Sequence, residues 1–377
     1  MEAWEAGQSV NAICRVLRCS RSWFYKWLAR YEGGQADWFS PHSRCPQSQP
    51  RQTPEEVVEV VKMVRLSLYN KGMFCGAQAI RWELEDLAVE PLPSLRTINR
   101  ILADHDLTHR RTGRYEPKGR LYPALQATAP NGVHQADFVG PCYLRGAGRF
   151  YSYNVVDLAT GRCAIEPLQQ RGGQAVLDAI WGVWWRLGVP QHQQVDNDLA
   201  FYGSPAYPRG MGNLIRLCLA QGVEAWFIPP KEPWRNGVVE KFNDHYRQRF
   251  LQRCVLANTQ ALRQQSRAFE QRHNRTYRYS KLQGRTPAAS LGSSQASLHW
   301  PPRKTAPRLP LSKPKEGRYH VVRFIRSDRQ LDVFGERFTL PLEATHEYVV
   351  GTIEVARQKL QVWLGNELIE QIDYRLF

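Results

Sequence analysis

Several familiar signals are missing from this 377-residue chain, and each absence removes a class of function. Its eight cysteines (Cys14, Cys19, Cys45, Cys75, Cys142, Cys163, Cys218 and Cys254) are scattered, with no Cys-x-x-Cys and no histidine pair at finger spacing beside one. That excludes a zinc module and fits reduced thiols better than a disulfide scaffold. The most apolar stretch, about 175–189, is too short and too interrupted to span a bilayer. The opening residues Met1, Glu2, Ala3, Trp4 and Glu5 are no signal peptide. There is no internal repeat and no long low-complexity tract. Acid is scarce as well: 35 Asp and Glu stand against 51 Lys and Arg, a net charge of +16. A field of that sign draws polyanions and speeds their encounter. The expectation is a cytoplasmic protein with no membrane partner.

Hydrophobic residues make up 42% of the chain and include 12 Trp, enough for a sizeable core, and the length allows two to four domains. Residues 1–32 hold a helix-turn-helix pattern. Ser9 can cap a helix with Val10, Ile13 and Leu17 on one face, and Ser20 can cap a second with Trp23, Phe24 and Trp27 inward. Arg21, Ser22 and Lys26 then face outward, the layout of a major-groove reading helix; any small helical hairpin would share it. Residues 32–53 read as a Gly- and Pro-bearing linker. Thr53, Pro54, Glu55 and Glu56 open a capping box, and helices are expected to about Leu66, from Gly76 to Leu87, and after the Ser94 cap, with Leu95, Ile98, Ile101 and Leu102 buried. This second helix-turn-helix candidate, 53–107, would turn Arg96, Asn99 and Arg100 to DNA, though surface arginines also serve a plain helical spacer. Residues 108–130 form a basic linker whose Arg110 and Arg111 can lie along phosphates or simply be solvated.

From about 131 the pattern becomes α/β. Strands are expected near 133–139, 149–157 and 162–167, a helix near 172–187, a short strand ending at Asp196, a helix near 211–221, a strand near 223–228, a helix from about Asn236 and another at 258–275. Three antiparallel strands followed by alternating helices and strands is the order of a ribonuclease-H-like core, assigned to 131–290. Residues 301–315 read as an extended basic linker. The alternating segments of 316–377 suggest a small β-barrel. The fold class is thus multidomain: all-α helix-turn-helix modules, an α/β core and a C-terminal barrel.

Three acids stand where a strand ends or a helix begins: Asp137 (within His134, Gln135, Ala136, Asp137, Phe138), Asp196 (closing Gln193, Gln194, Val195, Asp196, Asn197) and Glu240 (within Asn236, Gly237, Val238, Val239, Glu240, Lys241, Phe242, Asn243). Singly, such an Asp is ordinarily a turn former and such a Glu a helix-dipole complement. Together, convergent carboxylates can hold two Mg²⁺ ions for phosphoryl transfer. Asp198 competes with Asp196, which is preferred because it directly follows the strand. Arg247 lies about 20° around an ideal helix from Glu240 and shares its face. Lys231, Arg235 and Asn236 can grip a substrate strand, and Trp234 can stack on a base or pack under the loop.

Residues 131–290 resemble the catalytic core of the retroviral-integrase superfamily, including bacterial insertion-sequence DDE transposases; the Glu240 motif is the most specific piece. The flanking helical and β segments resemble the same transposases. The family often has Gly where Asp198 stands and commonly places 35 residues between the second and third acids, whereas 43 lie between Asp196 and Glu240; counting alone would choose Glu232, but it sits in a loop among Pro229, Pro230 and Pro233, and the extra eight residues are placed in a surface loop within 201–213. The resemblance implies Mg²⁺ or Mn²⁺ on Asp137, Asp196 and Glu240, two ions per site. It implies hydrolysis at transposon 3′ ends and strand transfer into target DNA. It also implies double-stranded DNA partners, a homo-oligomer to pair the ends, and a nucleoid-associated location. The rivals are a catalytically silent DNA-binding regulator and a structure-specific nuclease.

Overall fold

The computed structural model of the chain describes residues 1–34, 36–40, 53–108, 121–144, 148–292 and 298–377. In the first of its two units, Met1–Pro54, a four-residue helix α1 (Glu2–Glu5) precedes α2 (Val10–Leu17) and α3 (Arg21–Glu32). The serines cap as their spacing predicts: Ser9 Oγ accepts from the Ala12 amide at 3.3 Å and Ser20 Oγ from the Trp23 amide at 3.1 Å. Arg18, in the left-handed region at φ 50, turns the chain between α2 and α3. The core is Ile13, Cys14, Phe24 and Leu28. This corrects the expected stripe, because Leu17 is 60% and Trp23 48% exposed. Each residue turns a helix by 100°, so moving the inward pair from Trp23 and Trp27 to Phe24 and Leu28 rotates the indoles outward. Their rings pack along the outer side of α3, 5.8 Å apart.

The second unit spans Glu55–Phe377. It opens with α4 (Glu55–Asn70), α5 (Ala77–Asp86) and α6 (Leu95–Asp104) around Val61, Val64, Leu68, Ile80, Leu84, Ile98 and Leu102. Ser94 Oγ accepts from the Thr97 amide at 3.1 Å. Helix α4 outruns its expected end at Leu66, because Leu68 on the next turn is still buried.

The α/β part follows in chain order: β1 (Val133–Leu144), β2 (Gly148–Asp157), β3 (Cys163–Leu168), α7 (Gly173–Leu187), β4 (His192–Val195), α8 (Leu199–Tyr202), α9 (Asn213–Ala220), β5 (Glu224–Phe227), α10 (Gly237–Tyr246), α11 (Thr259–Thr276) and α12 (Pro287–Leu291). Strands β1, β2 and β3 are antiparallel, while β4 runs parallel to β1 and β5 parallel to β4. Helices α7 and α9 bury Ile180, Trp184, Leu214 and Leu217 in one core with Ala136, Tyr153, Val195 and Phe227. Val239, Phe242 and Tyr246 of α10 join Phe269 of α11 in a second, with Val156, Cys163 and Ile165. The helical module is fastened to this body: Tyr277 Oη donates to the Gly72 carbonyl at 2.5 Å, and the Phe74 ring meets His245, Tyr277 and Tyr279.

The C-terminal segment departs from the expected barrel. Its strands β6 (Arg318–Phe324), β9 (Tyr348–Glu354), β10 (Lys359–Leu364) and β11 (Glu367–Asp373) continue the core sheet, whose order is β11-β10-β9-β6-β5-β4-β1-β2-β3. The remaining pair, β7 (Gln330–Val333) and β8 (Glu336–Thr339), is a separate hairpin. β6 lies parallel beside β5 through Trp226↔His320 and Phe227↔Val321. Tyr319, Val321, Ile353, Leu360 and Val362 fill the same core as Val195 and Phe227. The reason is the edge: without β6, one side of β5 would present unpaired backbone over an apolar core. The stretch before β6 is packed rather than free, with its Arg303 carbonyl accepting from Trp181 Nε1 at 2.8 Å and its Leu311 carbonyl from Arg216 Nη1 at 2.9 Å. No helix among the described residues is long and apolar enough to cross a membrane.

Candidate active site

The parallel ladder between β1 and β4 ends at Gln135↔Gln194. Carried two residues further, that register sets Asp137 level with Asp196, side chains on the same face as the two glutamines. Asp196 directly follows β4. Asp137, expected at a strand end, is instead inside β1, opposite Asn154 of β2. The expectation fails because β1 runs on to Leu144 against β2 alone, so Asp137 marks the end of the β4 contact, not of the strand.

Each acid has its own surroundings. Asp137 Oδ1 accepts from the Phe138 amide at 2.7 Å, and its Oδ2 accepts from Asn243 Nδ2 at 2.8 Å. That amide is oriented in turn: Asn154 Nδ2 donates to Asn243 Oδ1 at 2.8 Å, and Ser152 Oγ donates to Asn154 Oδ1 at 2.7 Å. Asp196 Oδ1 accepts from the Asp198 amide at 3.1 Å. Asp198 itself caps α8 through the Ala200 amide at 2.9 Å and pairs with Arg171 at 2.5 Å. Glu240 stands in the first turn of α10, behind a 3₁₀ turn over Pro233–Asn236. Its competitor Glu232 bonds Arg235 at 3.0 Å and the Tyr348 hydroxyl at 2.8 Å.

The three carboxylates lie in one another's fields. Burial, then the charges of Asp196 and Glu240, push Asp137 from 3.8 up to about 7, against the pull of the Phe138 amide and Asn243. Burial also raises Asp196, with repulsion from Asp198 added. Burial, then Asp244 and Asp196, raise Glu240. Clustered carboxylates of this kind carry an excess of negative charge, and an all-oxygen donor set suits Mg²⁺ or Mn²⁺. In donor chemistry the residues therefore fit such an ion, although among the described residues no three His, Cys, Asp or Glu side chains are gathered tightly enough to cage one.

The other predicted contacts divide. Arg21 and Lys26 on α3, and Arg96, Asn99 and Arg100 on α6, are exposed. Lys231 is exposed in a left-handed turn (φ 64), and Trp234 is 48% exposed rather than packed beneath its loop. Arg247 is exposed as the first residue of a π-helical turn, Arg247–Leu251. Two expectations are corrected. Asn236 is only 2% exposed and donates to the Ala136 carbonyl at 2.9 Å, so it cannot reach a substrate. Arg235 is spent internally: it pairs with Glu232, donates to Tyr348 Oη at 2.9 Å and lies over the Tyr122 ring at 4.1 Å. Arg110 and Arg111 lie outside the described residues. Sequence reasoning missed the orienting role of Asn243, whose signal was its spacing of three from Glu240, which places both on one helix face.

Comparison with known proteins supports the resemblance. The homeodomain-like domain model matches residues 1–39, and the integrase core domain model matches residues 221–287, which include Glu240. The chain is thus similar to members of the integrase and transposase superfamily. Among solved structures, a chain of the simian T-cell lymphotropic virus intasome in complex with PP2A regulatory subunit B56 gamma is 14% identical at a TM-score of 0.39, covering 84% of this chain and 97% of that one. The HTLV-2 integrase catalytic core domain in complex with magnesium is 16% identical at 0.35, covering 44% of this chain and 98% of its own. The BIV integrase catalytic core domain is 16% identical at 0.34, covering 44% and 97%. No curated protein matches the chain.

Proposed function

We propose that the chain is a DDE transposase that binds transposon ends, hydrolyses the DNA at their 3′ ends and joins them to target DNA. The observation that carries this reading is the level placement of Asp137 and Asp196 where the β1–β4 ladder stops, with Glu240 in their field. The strand order β3-β2-β1-β4-β5, antiparallel then parallel, supports a ribonuclease-H-like core.

Asp137, Asp196 and Glu240 would hold two Mg²⁺ or Mn²⁺ ions. Such ions supply an activated water or 3′-hydroxyl and stabilise the leaving oxygen of an in-line displacement. The chain's own groups do the rest. Asn243 holds the Asp137 carboxylate in one orientation. Trp234, Lys231 and Arg247 border the substrate strand, by stacking and by charge. The exposed basic faces of α3 and α6 grip duplex ends. No covalent protein–DNA link is needed. Joining requires paired ends, so the working form is a homo-oligomer.

The test is incubation with the terminal DNA of the element and Mg²⁺ or Mn²⁺. Wild type joins strands, while Asp137→Asn binds ends without joining them. Full joining by Asp137→Asn refutes the assignment. A footprint without joining in either metal marks a silent regulator, and cut but unjoined products mark a nuclease.

A further inference from the structure

Helix α10 begins at an asparagine that does not cap it. Asn236 is the N-cap, a residue type that ordinarily bonds the first free amides of its own helix, yet it makes no such bond. Its side chain turns back to the sheet, donating to the Ala136 carbonyl at 2.9 Å and accepting from Gln194 Nε2 at 3.3 Å. The cap comes from outside the helix. Gln135 Oε1 accepts from the Val238 amide at 3.1 Å and the Val239 amide at 3.2 Å, the start of α10. Gln194 Nε2 also donates to the Arg235 carbonyl, at 2.9 Å, on the turn just before.

These two glutamines are register partners, Gln135↔Gln194, on adjacent parallel strands, and both are buried. Each precedes an aspartate by two residues, in Gln135-Ala136-Asp137 and Gln194-Val195-Asp196, so glutamine and aspartate share a strand face. A rigid strand therefore presents an acid and, one pleat earlier, an amide that grips the element carrying the third acid. Gln135 accepts from the helix and Gln194 is the closer donor to the turn, Gln135 Nε2 reaching the same Arg235 carbonyl only at 3.5 Å, so both ends of the α10 entry are held at once.

We infer that Gln135 and Gln194 are positioning residues that deliver Glu240 to Asp137 and Asp196. This rests on the proposed assignment of those three acids. The pair sets the distance between helix and sheet acids through different principal roles, acceptor for Gln135 and donor for Gln194, and that difference makes it testable. Glutamate at 135 gives up only the long 3.5 Å donation to Arg235 and keeps an acceptor facing two amides at a helix N-terminus, where negative charge is favoured. Glutamate at 194 replaces the donor with an acceptor against the Arg235 carbonyl and Asn236 Oδ1. Residues that orient metal ligands from behind typically change metal affinity by about 10–100-fold.

The experiment uses the full chain with Gln135→Ala, Gln135→Glu, Gln194→Ala and Gln194→Glu, each first confirmed as folded by a cooperative melt. Two readouts are taken: hydrogen exchange of the peptide amides at 237–242 without metal, and Mn²⁺ affinity by electron paramagnetic resonance. Gln135→Ala should speed exchange at Val238 and Val239 about tenfold and weaken Mn²⁺ about tenfold, with Gln135→Glu restoring both. Gln194→Glu should weaken Mn²⁺ at least as much as Gln194→Ala. Unchanged exchange at the head of α10, or identical behaviour of the two glutamate variants, overturns the inference. If wild type binds no Mn²⁺, or Asp137→Asn joins DNA, the assignment of the acids falls instead, and the metal-free exchange data still decide whether the glutamines hold the helix.

Discussion

Deleting residues 316–377 should unfold the α/β body rather than release an intact core. Leu214, Ile215, Leu217, Leu219 and Phe227 are buried in a cluster completed by Tyr319, Val321, Ile353, Leu360 and Val362. If those five lose half of a burial worth about 1.5–3 kcal/mol each, the loss is about 4–8 kcal/mol, comparable to the roughly 5–15 kcal/mol by which whole domains are stable. Polar braces go with them. Arg323 Nη2 donates to Asn197 Oδ1 at 3.0 Å, beside Asp196, and Tyr348 holds Glu232 and Arg235 ahead of α10. The assay compares the full chain with a 1–315 truncation by near-ultraviolet circular dichroism of the tryptophans during heating, with dye binding as a measure of exposed apolar surface. The truncation should show no cooperative transition and bind dye at room temperature. A 1–315 fragment that melts as sharply as the full chain, and at the same temperature, would refute the argument and restore the independent barrel.

Three further outcomes are expected. His273 is fully buried beside Tyr279 and Cys163, and burial lowers its pKa from 6.5 to about 4. The unfolded chain therefore binds a proton in that window that the folded chain refuses, so about 3 kcal/mol of stability present above pH 6.5 is lost through this group as pH falls toward 4; His134 and His245 are lowered likewise, so His273→Gln should reduce the slope in melts taken across the window without abolishing it, and an equal slope would remove His273 as a source. Replacing exposed Arg96 and Arg100 with Ala should lower the slope of log affinity against log salt for duplex DNA by about 2, one per charge, whereas an unchanged slope would place DNA elsewhere. Trp234→Ala should cost about 1–3 kcal/mol of single-strand affinity while leaving the melting temperature unmoved, and a lower melting temperature with unchanged affinity would make the indole structural.

Readability from sequence tracked the range of the interaction. The Ser9, Ser20 and Ser94 caps lie three residues from their partners, and all three form as expected. The strand before Asp196 and the helix carrying Glu240 were likewise local patterns of apolar period. The inward phase of α3 was not readable, since Trp23, Phe24 and Trp27 are all apolar and only the partner helix selects Phe24. Alternation identified the C-terminal strands but carries no record of which strand they join, so the β5–β6 pairing was missed. The same limit hid the site's supports. Asn243 meets Asp137 across 106 residues of chain and Glu232 meets Tyr348 across 116; helix phase sets Asn243 beside Glu240, but nothing in the sequence names either distant partner.

The position of β6 in the sheet has a consequence for synthesis. As the polypeptide leaves the ribosome, β5 is made well before the strand that will cover its open side, and until residues 318–324 emerge that side offers bare amides and carbonyls to any passing chain. The hazard is limited by length, for β4 and β5 have four residues each. Nascent molecules must nonetheless wait for these residues before their largest layer can seal, and chains truncated ahead of residue 318 would be sticky, degradation-prone products instead of shortened working ones.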